Sequence, residues 1–198
     1  MNHTAKSIQI GLVVLLTGFV VGCSPMRVSM KSGSLDFLKG QHQVNVTYSY
    51  EGMGVGEYAN EQDYINRKVA EYNAKEPGKG ETWRQAWLGN RTRRYQPHFE
   101  ELLNAHVPDK LNLQFGAYQD APYTLHLRTT FTEPGWNVAI MRHPAFIDAE
   151  ARFYETTNPA NTVAEVSILK SPGADAWGFD FDPGQRIRAS RDCLLTWR

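Results

Sequence analysis

The chain has no excess of charge of either sign. Its 198 residues carry 21 basic and 21 acidic side chains, for a formal net charge of zero. A nucleic-acid binder needs a basic surface to displace counterions, so the balance argues against that class. Cysteine is scarce, with Cys23 and Cys193 as the 2 in the chain. That is too few for a Cys-based zinc cluster. The sequence lacks a His-Glu-x-x-His helix, a P-loop or dinucleotide glycine pattern, and a Gly-x-Ser-x-Gly elbow. It shows no internal repeat with a period of roughly 20 to 50 residues. Long apolar runs are also missing, apart from one at the start.

That run extends from Ile8 to Val21, interrupted by Gln9 and Thr17 and preceded by Lys6. A basic n-region, an apolar h-region and a small residue at the cut make a secretory signal. Gly22 supplies the small residue. The run falls short of the about 20 apolar residues that span a bilayer, so a retained spanning helix is the weaker reading. Val20-Val21-Gly22-Cys23 resembles the lipobox of bacterial lipoproteins at all four positions. The resemblance implies that residues 1–22 are a signal peptide, and that Cys23 takes a diacylglyceryl group and palmitate and becomes the new N-terminus. One acyl chain holds a protein marginally on a membrane, whereas two or more hold it stably. Ser24 after the cysteine, rather than Asp, resembles the outer-membrane default among such lipoproteins. With Cys23 lipidated, Cys193 is alone and no internal disulfide forms, although an oxidising compartment would permit one. Loss of Lys6 leaves the mature chain within one charge of neutral.

Residues 23–40 read as the lipidated cysteine and a flexible polar tether, with Ser24-Pro25, Ser29, Lys31, Ser32, Gly33 and Ser34. Leu35, Phe37 and Leu38 begin the packed region. Residues 41–198 have the length of a single globular domain. Gln43 to Tyr50 alternates apolar and polar residues and reads as a strand. Gly52 to Gly56 reads as a flexible loop. Asn60 caps a helix running to about Lys75, with Tyr64, Ile65, Val69 and Tyr72 at helical spacing. A second helix starts near Glu81, the apolar pattern breaks from Gly89 to Arg94, and Pro97 opens a third helix. Strands then follow at Leu111–Phe115, Tyr123–Thr132, Phe146–Tyr154 and Thr162–Leu169, with a hairpin turn at Asn158–Asn161. Asp182-Pro183 opens a last helix. Helices come early and strands late, which predicts an α+β fold with a mainly antiparallel sheet and helices packed on one face.

Several constellations admit a chemical reading and a plainer one. Arg84, Arg91, Arg93 and Arg94 could meet anionic head groups, but a solvated face with ion pairs is favoured. Trp83 and Trp87 are four apart on one helical face. They could line a sugar or lipid groove, but the core side of a helix is favoured. His98, His106, His126 and His143 are scattered, and no metal or cofactor site is expected from them. Asp175, Asp180 and Asp182 lie in a glycine-rich loop without calcium-loop spacing. An envelope hydrolase would need paired carboxylates, such as two of Glu133, Asp148 and Glu155, about 5 to 10 Å apart.

Pro122-Tyr123-Thr124-Leu125, Thr130 to Val138, Pro144-Ala145, and Gly178-Phe179-Asp180-Phe181 before Gly184-Gln185-Arg186-Ile187 are similar to a family of Gram-negative envelope lipoproteins with no assigned chemistry. The likeness runs from about Leu35 to Ala189. It carries no catalytic residue across. It does imply a longer, amphipathic, Lys-rich final helix, so residues 191–198 are expected to be a truncated end in which Cys193 has no role. The expectation is a lipid-anchored envelope protein of the outer membrane that binds or assembles rather than catalyses. Its partners would be the membrane, through Cys23, and an envelope protein. The alternatives are the carboxylate hydrolase and a subunit of an envelope assembly or secretion complex.

Overall fold

Val44, Val46 and Tyr48 share one side of an extended chain and Asn45, Thr47 and Ser49 the other, so one side can be buried. A computed structural model describes residues 26–138 and 141–173. Within them the strands are β1 (Arg27–Gly33), β2 (Gln43–Ser49), β3 (Gly54–Val55), β4 (Gln114–Gly116), β5 (Tyr123–Glu133), β6 (Trp136–Val138), β7 (Met141–His143), β8 (Phe146–Glu155) and β9 (Asn158–Pro172). The helices α1 (Glu61–Lys75), α2 (Lys79–Asn90) and α3 (Gln96–His106) lie between β3 and β4, with a π-helical turn, Arg91–Tyr95, joining the last two. Seven strands form one sheet in the order β1-β9-β8-β5-β2-β4, with β3 added beside β5. β1 with β9, β9 with β8 and β8 with β5 pair antiparallel, while β2 pairs in parallel with β4 and β5, and β3 in parallel with β5. β6 and β7 make a separate two-stranded ribbon. The fold is α+β with a mostly antiparallel sheet and the helices on one face, as the sequence pattern predicts.

Strand register gathers the apolar residues into rows. Val46 lies beside Leu125, Leu125 beside Phe153, and Phe153 beside Ala164. All four are buried, and Phe99 and Leu103 of α3 pack on the cluster they form. Met53, Val55, Ile65, Trp83 and Trp87 make a second cluster that ties α1 and α2 to β3. The α1 start follows from its cap, since the Asn60 side chain accepts from the Asp63 N–H at 2.9 Å. Gly80 lets the two helices meet closely. A Cβ there would lie 2.4 Å from the Val69 carbonyl oxygen.

The structure departs from the sequence reading at several places, among them Leu111–Phe115, where Asp109–Leu111 is a 3-10 turn and the strand is Gln114–Gly116. The stretch read as a tether contains β1, which pairs along β9 from Arg27↔Leu169 to Gly33↔Ala164. Its side chains are mostly exposed, so it has no apolar row to announce it. The Gly52–Gly56 loop contains β3, where Val55 is completely buried. The apolar pattern lapses from Gly89 to Arg94, yet the backbone stays helical there through the π turn. The hairpin between β8 and β9 turns at Thr156-Thr157, so Asn158–Asn161 already belong to β9. In β5, a bulge between Thr129 and Phe131 reverses the faces, which buries Thr132 and leaves Phe131 half-buried. Cys23, the acidic loop with Asp175, Asp180 and Asp182, the helix from Pro183, and Cys193 lie outside the described residues.

Candidate functional site

The helical layer and the sheet do not close completely. Beneath the π turn is a cavity of about 120 Å³, roofed by Trp87, Tyr95 and Phe99 and floored by Leu127, Ile147 and Ile168. A π turn widens a helix locally and is common at functional sites. Here it carries Arg91 and Tyr95 to the cavity wall.

One acid–base pair stands in this mainly apolar lining. Glu61, in the first turn of α1, accepts from Trp87 Nε1 at 2.6 Å and from the Arg91 guanidinium through both carboxylate oxygens. The Arg91 and Glu61 side chains are 20% and 15% exposed, so water screens the pair poorly. The Arg91 guanidinium also lies 4.2 Å from the centre of the Tyr50 ring. Burial pushes the Tyr50 hydroxyl up, and this is opposed by a hydrogen bond with Gln96 and by the Arg91 charge. Tyr48 is pushed far above the usual tyrosine range, first by burial and then by the Glu100 carboxylate that accepts its hydrogen bond at 2.8 Å. Tyr48 stays neutral and donates to Glu100, while the Tyr50 oxygen accepts from Gln96. The ionic pair is satisfied within itself, so the cavity presents a mainly apolar surface.

The opposite face of the sheet is polar. Register brings His126 beside Arg152, Arg152 beside Glu165, and Glu165 beside Ser32. In the next row Arg128 is beside Glu150 and Glu150 beside Ser167. Except for Ser32, these residues line, with Lys31, an open cleft of about 380 Å³. Arg128 is bound to Glu150 at 2.8 Å, and Arg152 stacks over Tyr154 at 5.0 Å. His126 meets Thr47 Oγ1 at 2.9 Å. Burial lowers its pKa from the ordinary 6.5, with Arg152 and Arg128 adding to the effect.

The remaining sequence candidates are dispersed. Arg84 pairs with Glu81, Arg91 with Glu61, and Arg93 donates to the Gly89 carbonyl, so the arginines make no common patch. Trp83 and Trp87 stack on each other at 5.6 Å inside the second core cluster, and Trp87 also reaches the cavity. His98 faces Glu101 at 3.3 Å, His106 bonds the Leu102 carbonyl at 2.7 Å, and His143 stacks on Trp136. Among the described residues, no three of His, Cys, Asp and Glu gather where they could hold a metal. Asp148 and Glu155 are seven residues apart on β8, or about 23 Å at strand rise. Asp148 accepts from the Lys170 N–H at 2.7 Å, and Glu133 from the Gly135 N–H at 3.0 Å. Both carboxylates therefore hold backbone at strand irregularities. Sequence reading missed the Glu61–Arg91–Tyr50 arrangement. Trp87 and Arg91 are four apart, which was a visible signal, but their shared acceptor lies on another helix.

No family model matches the chain, and no curated protein matches it. Among solved structures, the chain is similar to a single-site variant of the PelC dodecamer from Paraburkholderia phytofirmans. The TM-score is 0.35 and the identity 13%, covering 85% of this chain and 97% of that one. The PelC dodecamer from the same organism without that substitution, in another crystal form, gives a TM-score of 0.37 at 13% identity, covering 85% of this chain and 96% of that one. A likeness at this level says nothing about what the chain does.

Proposed function

We propose that this chain is a lipid-anchored module of a bacterial envelope that binds an envelope protein partner and does no chemistry on it. The lipid is carried by Cys23, and the outer membrane is the destination that Ser24 favours. The observation that carries the binding reading is the cavity under the π turn. It is apolar, and its one ionic group, Glu61–Arg91, is neutralised internally. A buried charge committed to a partner is a poor proton donor or acceptor. An apolar recess of this kind suits an inserted apolar side chain from a protein surface. The arrangement does not favour a carboxylate hydrolase, because Asp148 and Glu133 are engaged with backbone and Glu155 lies at the other end of β8.

The test is recovery of the lipidated protein from its own membranes with and without Ala149→Leu. Ala149 is buried and lines the cavity, so the longer side chain occupies the recess from its floor. The wild-type protein brings a stoichiometric envelope partner with it, and the Ala149→Leu protein, folded by its melting curve, does not. An identical set of recovered proteins from both would remove the cavity from the account.

A further inference from the structure

We propose that the cleft on the polar face of the sheet binds a small hydroxylated organic anion, with Arg152 and Lys31 holding its carboxylate or phosphate group and Glu165 accepting from its hydroxyl. This site is on the face of the sheet opposite the cavity under the π turn, and it does not depend on the partner-binding reading above. The cleft holds about 380 Å³, and the charged side chains of Lys31, Arg128, Glu150, Arg152 and Glu165 line it.

These charges are not equally committed. Arg128 and Glu150 neutralise each other at 2.8 Å. Arg152 has no such partner. Register sets it beside Glu165, yet among the described residues neither side chain makes an ion pair or a hydrogen bond. The Arg152 guanidinium instead lies 5.0 Å from the centre of the Tyr154 ring. Stacking of that kind holds a guanidinium in place and leaves its N–H donors for an oxyanion. Arg152 is half-buried, so salt screens it less than a fully exposed charge.

Lys31 reaches the cleft through an irregularity in β1. Met30 pairs with Val166 and Ser32 with Glu165, so Lys31 is an extra residue between two consecutive partners on β9. A bulge of this kind re-aims a side chain. Just beyond it, Gly33 has φ +73°, and a Cβ there would lie 1.9 Å from the Val163 carbonyl oxygen. The course of β1 past the bulge is therefore one that only glycine allows. Lys31 also makes no ion pair or side-chain hydrogen bond among the described residues. β9 runs between β1 and β8, so Lys31 and Arg152 start about 10 Å apart, or two strand spacings. Both side chains are long, and they approach one anionic group from the two sides of β9.

Glu165 narrows the ligand class. An uncommitted carboxylate beside Arg152 repels a bare anion and accepts from a donor, which a hydroxyl next to the anionic group provides. The uncommitted set of Arg152, Lys31 and Glu165 is net positive, which favours a net anion over a zwitterion. His126, beside Arg152 in register, reports on occupancy. Its Nδ1 meets Thr47 Oγ1 at 2.9 Å, and Arg152 and Arg128 are the cations that disfavour its charged form.

The experiment uses the purified full-length protein with gluconate and glycerol 3-phosphate as probes. It reads affinity by calorimetry and the His126 ring signal by NMR, assigned with His126→Gln. At least one probe is expected to bind at a single site and to raise the pH at which His126 titrates, since a bound anion offsets the two guanidinium groups. Which probe binds separates a carboxylate ligand from a phosphate ligand. Arg152→Gln is expected to weaken binding about tenfold or more, the usual effect of losing a charge-assisted hydrogen bond. Lys31→Gln, at an exposed position of an edge strand, is expected to weaken it in the same direction, so the outcome does not hang on the folding of one variant. Arg84→Gln on α2, away from the cleft, is expected to leave affinity unchanged. Acetate, which lacks the hydroxyl, is expected to bind more weakly than gluconate. Failure of both probes to bind the folded protein at about 10 mM, or binding that Arg152→Gln and Lys31→Gln leave unchanged, overturns the proposal. Equal binding of acetate and gluconate overturns the part given to Glu165.

Discussion

His126 shows how much one side chain's surroundings change its chemistry. It sits on the polar face of β5, yet burial and two neighbouring guanidinium groups, Arg152 and Arg128, disfavour its charged form. Its folded pKa lies below the ordinary 6.5, so the unfolded chain binds a proton first as pH falls. Stability from this residue is complete above about pH 6.5 and is lost as pH drops toward the folded value. Urea unfolding of wild type and His126→Gln across pH 5 to 8 checks this, and the variant is expected to lose part of the acid-side decline. A steeper decline in the variant would reverse the sign argued here. Glu61 carries a different burden. It is the acceptor for both Trp87 and Arg91, so removing it orphans an indole N–H and a poorly solvated cation together. The sequence displays His126, Trp87 and Arg91 as residues, but not these environments, because each is made by strands or helices far apart in the chain.

At the level of elements, legibility follows periodicity. β2, β5, β8 and β9 and the three helices bury one side each, and the alternation of Val44, Val46 and Tyr48 or the spacing of Tyr64, Ile65 and Val69 writes that burial into the sequence. β1 is an edge strand with mostly exposed side chains, so only its hydrogen bonds to β9 define it. β3 is two residues long and β6–β7 three each, below what a pattern can reveal. Pro159 displaced the expected hairpin, since proline suits turns. The strand tolerates it because the β8–β9 register shifts there, between Tyr154↔Thr162 and Glu155↔Asn158. The β4 edge is closed by a device that no local pattern signals. The Asn104 side chain on α3 accepts from the Phe115 N–H and donates to the Phe115 carbonyl, both at 2.8 Å. It takes the place of a neighbouring strand. Asn104→Ala leaves both backbone groups without that partner and is expected to destabilise the fold by about 1 to 3 kcal/mol. Chemical denaturation measures this, and a change near zero would mean that water replaces the amide without loss.

At the level of the whole molecule, a sheet covered by helices on one face and polar on the other is joined by β1 at the end where β9 finishes. No helix among the described residues is long and apolar enough to cross a membrane, and the attachment proposed above is a lipid on Cys23. The decisive measurement is growth of cells expressing this chain with radiolabelled palmitate, followed by fractionation. The account predicts label on the wild-type protein in the membrane fraction, no label on Cys23→Ser, and release of Cys23→Ser from the membranes. A wild-type protein that takes up no label, or an unlabelled Cys23→Ser protein that stays as firmly membrane-bound as wild type, would contradict it.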